Sequence, residues 1–127
     1  MGEKTYNLYI MDKESLYNEA LNFYEKGDFK TAKLLFRKYI SLYEQNVEVL
    51  MFLAFCEIDE GNFDEALNCG SKISTYFRDF KIAHFILGTI AWNKGNIPEA
   101  LRAYNFAISK GLPKSIIAEV TNNQLLL

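Results

Sequence analysis

The sequence predicts an all-α solenoid: three helix-turn-helix units stacked in a row and closed by one further helix. Three observations carry that prediction. Gly27, Gly61 and Gly95 stand 34 residues apart, and each is followed five residues later by an alanine, Ala32, Ala66 or Ala100. The period runs from residue 13 to 114 without an insertion, and a fixed period of this size is the mark of stacked supersecondary units. Half of the 127 residues are apolar and 15% are aromatic, enough to fill a continuous core between helices.

Residues 1–12 precede the first unit and include Tyr6, Leu8, Tyr9, Ile10 and Met11. They are too apolar for a free solvated tail and read either as a short helix over the first unit or as an extended arm. Helices are then expected near 13–26, 30–43, 47–59, 64–77, 81–94, 98–110 and 114–122. Asp12 is placed to cap the first, with Met11 and Leu16 as a hydrophobic staple across it. The three periodic glycines suit the left-handed residue that closes a helix. Asp28, Asn62 and Asn96 follow them and are placed to cap the next helices, as Asn46 and Asp79 are for the third and fifth. Pro98 falls in the first turn of its helix, where its missing N–H costs nothing. Gly111 and Pro113 stop the sixth. In the segment 115–127, Ile116, Ile117 and Val120 are expected to cover the open end of the third unit. Its apolar terminus, Leu125–Leu127, calls for a longer natural chain, a partner or a second copy, because terminal units of a solenoid need a polar outer face.

The units are Lys13–Asn46, Val47–Phe80 and Lys81–Lys114. Their eighth positions hold Ala20, Ala54 and Gly88, and these together with Ala32, Ala66 and Ala100 fall where antiparallel helices approach closest, so bulk there would force them apart. Later in the second helices come Phe36, Gly70 and Tyr104, then Tyr39, Ile73 and Ala107. This pattern resembles the tetratricopeptide repeat family, whose signature sets small residues and aromatics at these places. The middle unit departs from it: Glu57 and Gly70 stand where an aromatic pair is usual. Glu57 is expected either to serve as a recognition or proton-transfer group or, as the favoured reading, to mark a local repacking with its carboxylate reaching solvent. Tyr39 is one candidate to refill the lost volume.

The resemblance implies a right-handed α-solenoid whose first helices line a concave face. The positions it assigns to that face include Tyr17, Leu21, Tyr24, Met51, Phe55, Ile58, Ile82, Phe85, Thr89 and Trp92. Steps of three and four place them on one helical stripe. All but Thr89 are large and mainly apolar, and together they would exceed the apolar patch that soluble monomers normally expose. Phe55 and Trp92 are the favoured anchors, since aromatic side chains dominate binding hot spots. Members of the family that clamp a terminal carboxylate use cationic and amide side chains; here Tyr17, Leu21, Phe52, Ile82 and Ile86 stand at those places, so a carboxylate clamp is not expected. An acidic rim of Glu14, Glu25, Glu48, Asp59 and Glu60 favours basic flanks on the ligand.

Composition narrows the alternatives. A net charge of −2 and dispersed lysines argue against nucleic acid, which calls for clustered Lys and Arg. No apolar run approaches the roughly 18 residues of a membrane span. Cys56 and Cys69 fit a reduced compartment, which favours the cytoplasm; they read as buried thiols in preference to a disulfide. His84, the only histidine, reads as a satisfied packing residue, and with the cysteines it forms no metal-ligand spacing. No phosphate loop or nucleophile elbow is present. Neither a catalytic residue nor a metal or cofactor is expected. The expected function is a non-catalytic protein-interaction module that holds a hydrophobic helix or peptide of a partner, as an adaptor, scaffold or dedicated chaperone would. The alternative is a homodimer built through the apolar groove or the C-terminal end. A third reading lays the Tyr6–Met11 arm in the molecule's own groove.

Overall fold

The computed structural model describes residues 11–125, which form seven α-helices and, among those residues, no strand. They are α1 (Lys13–Glu25), α2 (Phe29–Leu42), α3 (Val47–Asp59), α4 (Phe63–Phe77), α5 (Phe80–Asn93), α6 (Ile97–Ser109) and α7 (Lys114–Val120). Helices pack in consecutive antiparallel pairs, α1 on α2, α3 on α4 and α5 on α6, and each pair's second helix packs on the next pair's first. The result is an all-α solenoid. The reading of residues 1–10 as arm or helix lies outside the described residues, as do Leu126 and Leu127.

One turn design joins α1 to α2, α3 to α4 and α5 to α6. Gly27, Gly61 and Gly95 take φ of +83°, +79° and +78°, a left-handed conformation that a Cβ would oppose. The next residue's N–H then reaches back to close the helix: Asp28 to the Phe23 carbonyl at 2.9 Å, Asn62 to Glu57 at 2.8 Å and Asn96 to Ala91 at 2.9 Å. The same residue opens the following helix. Asp28 accepts from the Thr31 N–H at 3.2 Å and Asn96 from Glu99 at 3.3 Å. Asp12, Asn46 and Asp79 likewise cap α1, α3 and α5. Asn62 departs from expectation: it makes no cap bond, because its amide donates instead to Glu57 Oε1 at 2.9 Å.

Two clusters of buried residues run through the stack. The first joins α1 to α4 and takes in Ala83 and Ile86 of α5. The second is built on Phe85, Ala91, Ala100, Tyr104, Ala107, Leu112 and Ile117, so that α7 closes over the third pair. Met51, Phe55 and Ile82 pack against both clusters. Gly70 is not refilled by Tyr39. A Cβ built there would meet Ile86 Cγ2 at 3.5 Å, so the next unit supplies the missing volume.

Candidate protein-binding face

The residues of the expected stripe lie on the first helices α1, α3 and α5, and contacts from some of them join neighbouring first helices. Tyr17 of α1 donates its hydroxyl to Glu48 Oε1 of α3 at 2.6 Å. The Phe55 ring of α3 lies edge-on to Phe85 of α5, 5.2 Å between centroids. Tyr24 sits edge-on against Phe29 and Phe52 at 5.1 and 4.9 Å. Burial and the neighbouring Glu48 carboxylate push the Tyr17 phenol above its usual pKa, and burial pushes Tyr24 up to about 12. Both hydroxyls therefore stay protonated in ordinary conditions, as donors.

The stripe divides by exposure. Tyr17, Leu21, Tyr24, Met51, Phe55, Ile82 and Trp92 are half-buried. Ile58, Phe85 and Thr89 are buried, which corrects their expected place on the open face. Ile58 joins the first cluster, and Phe85 is enclosed between Phe55 and Tyr104. Thr89 is consumed by its own hydrogen bonds: its hydroxyl donates to the Phe85 carbonyl at 2.8 Å and lies 3.0 Å from the Tyr104 hydroxyl. Leu21 stands apart, half-buried yet packed in neither cluster. Of the acidic rim, Glu14, Glu25 and Asp59 are exposed and have no ion-pair partner among the described residues. Glu60 has left the rim to pair with Lys33.

Glu57 also departs from its expected place. Its carboxylate does not reach solvent; the side chain is 2% exposed. Arg37 donates from Nη2 to Oε2 at 2.5 Å, Lys33 Nζ lies 3.3 Å from Oε1, and Asn62 supplies a third donor. Burial alone would raise its pKa; the Asn62 bond and the Lys33 and Arg37 charges outweigh that and hold it below the ordinary glutamate value. The signal was present as Lys33 and Arg37, one helical turn apart on the preceding helix.

His84, Cys56 and Cys69 sit in packing roles. His84 Nδ1 lies 2.9 Å from the Phe80 carbonyl, and its ring packs 4.1 Å from Phe106. Cys56 and Cys69 are free and buried, with burial pushing their thiols up to about 12 and about 11. Among the described residues no three His, Cys, Asp or Glu are grouped to hold a metal, and no helix is long and apolar enough to cross a membrane.

A sequence model of the tetratricopeptide repeat matches residues 23–84, from the end of α1 into α5. No curated protein and no solved structure matches the chain. Repeats of this kind generally mediate protein–protein interaction and are typically non-catalytic; their stacking creates extended concave surfaces for that purpose. The unbroken period, the antiparallel pairs with their shared turn design and this match together support assignment of the chain to the tetratricopeptide repeat family.

Proposed function

We propose that this protein is an interaction module that holds an apolar helix or extended segment of a partner protein along the face made by α1, α3 and α5, and in doing so stabilises the partner. The observation that carries the reading is the run of half-buried Tyr17, Leu21, Met51, Phe55, Ile82 and Trp92 across three successive first helices. Covering each residual apolar surface contributes at roughly 25 cal/mol per Å², and a few such anchors offset association costs of about 4–15 kcal/mol. Glu14, Glu25 and Asp59, without an ion-pair partner among the described residues, favour basic residues flanking the ligand's apolar stretch, and the lack of cations among the described residues of the stripe disfavours a terminal carboxylate.

Trp92 is the only tryptophan and belongs to this face, so its fluorescence reports on occupancy. A partner captured from native extract is expected to shift Trp92 emission to the blue and shield it from acrylamide. Leu21→Glu touches neither core and is expected to weaken that partner at least about tenfold, about 1.4 kcal/mol, with helical circular dichroism unchanged. Undiminished capture by Leu21→Glu, with Trp92 emission unmoved by the partner, rejects the face.

A further inference from the structure

The joints between successive units are built from the same positions but filled differently. At the first joint Lys33 bridges Glu57 and Glu60. One 34-residue period further on, those positions hold Leu67, Ala91 and Lys94. The charged network is gone, Ala91 is too short to replace Glu57, and Lys94 lies over the Phe63 ring, 5.6 Å from its centroid. What remains is an open recess of about 390 Å³, lined by Phe63, Leu67, Leu87 and Ile90. Leu67 is 44% and Leu87 36% exposed. No residue of the α1–α3–α5 stripe lines it. Two carboxylates stand at this recess, Asp64 and Glu99; Glu99 is paired with Arg102, and Asp64 has no cationic partner among the described residues.

The chain carries a counterpart on its first unit. Leu34 is 66% exposed and belongs to neither core. Its equivalents one and two periods on are Asn68 and Arg102, also exposed, so the fold does not require a leucine there. One turn earlier on the same face stands Lys30, exposed and without an ion-pair partner among the described residues. Residues four apart lie one above the other on a helix.

We propose that the outer face of α2 of one copy docks into the α4–α5–α6 recess of a second copy, with Leu34 seated between Leu67 and Leu87 and Lys30 against Asp64. An apolar knob beside an unpaired cation thus meets an apolar recess beside an unpaired anion. The two patches differ, so the contact is heterologous and head-to-tail, and further copies can add at both ends. The concave face stays open in every copy, which makes this association independent of the function proposed above.

Sedimentation velocity of the full chain tests it. The weight-average mass is expected to rise with concentration beyond a dimer and to fall with added salt. Leu34→Glu and Leu67→Glu are each expected to sediment as monomers. An equimolar mixture of the two is expected to form a 1:1 complex and nothing larger, because each variant keeps the patch the other has lost. Lys30→Glu is expected to weaken association at least about tenfold through like-charge repulsion with Asp64, and the double change Lys30→Glu with Asp64→Lys to restore it. These positions are exposed, and unchanged helical circular dichroism checks the fold. A wild-type chain that stays monomeric at every concentration overturns the proposal. So does a closed dimer indifferent to Leu34→Glu, or a pair of blocked variants that fail to complement.

Discussion

At the scale of single residues, two helix-interior glycines that look alike in sequence have opposite meanings. A Cβ on Gly88 would stand 2.4 Å from the ring of Tyr104, which is fully buried and bonded to Thr89. That ring cannot retreat. Gly88→Ala is expected to lose about 1–3 kcal/mol by overpacking, more than the helix propensity gained, and to lower the melting temperature by several degrees. At Gly70 the added methyl would make ordinary contact with Ile86. Gly70→Ala is therefore expected to be neutral or stabilising by up to about 1 kcal/mol. Melting curves that move the same way for both variants would reject this reading. Glu57 makes a prediction in pH. Its folded pKa is depressed, so its stabilisation is present above the ordinary value of 4.5 and is lost as pH falls through the folded one. Glu57→Gln is expected to cost about 1.5–3 kcal/mol at neutral pH and to flatten the loss of stability below 4.5; parallel acid limbs would contradict it.

At the scale of elements, helix positions were largely legible because the local chemistry is repeated. Glycine followed by a residue of capping type recurs at the turn inside each pair, with an apolar period on either side, and the observed ends fall within one or two residues of those expected. Asn62 was not legible, since a cap is a local interaction and the pull of Glu57 is set by packing of α2 against α3. Asn46 keeps its cap, accepting from the Val49 N–H at 2.8 Å, and also donates to the Tyr39 hydroxyl at 3.2 Å. Asn46→Ala should therefore lose a cap and a second bond together, about 1–2 kcal/mol by urea denaturation. A loss within a few tenths would mean that α3 starts equally well without it.

At the scale of the whole molecule, the stripe came from the family resemblance, with helical spacing consistent with it, and neither marked the border between surface and seam. Helical periodicity says which side chains share a face. How far neighbouring pairs rotate against each other decides which of them are covered, and side-chain bulk across the joint sets that rotation. Phe85 and Thr89 were lost from the open face because Tyr104 and Phe55 close over them. Met51, Phe55 and Ile82 stayed half-exposed while packing against both cores, so the candidate face is also the fastening between the first two units and the third. In a stack, stability is a sum of units and interfaces, and weakening a fastening uncouples what it joins. Phe55→Ala is expected to cost about 2–3 kcal/mol, less than the ~3–5 of a fully buried phenylalanine. The loss should be uneven: amide hydrogen exchange should speed up in α5, α6 and α7 well before α1 to α4, splitting one unfolding transition into two. Leu21→Glu, on the same face but outside both cores, should leave exchange unchanged. Uniform acceleration along all seven helices in Phe55→Ala would show that the two cores unfold as one and that Phe55 does not fasten them.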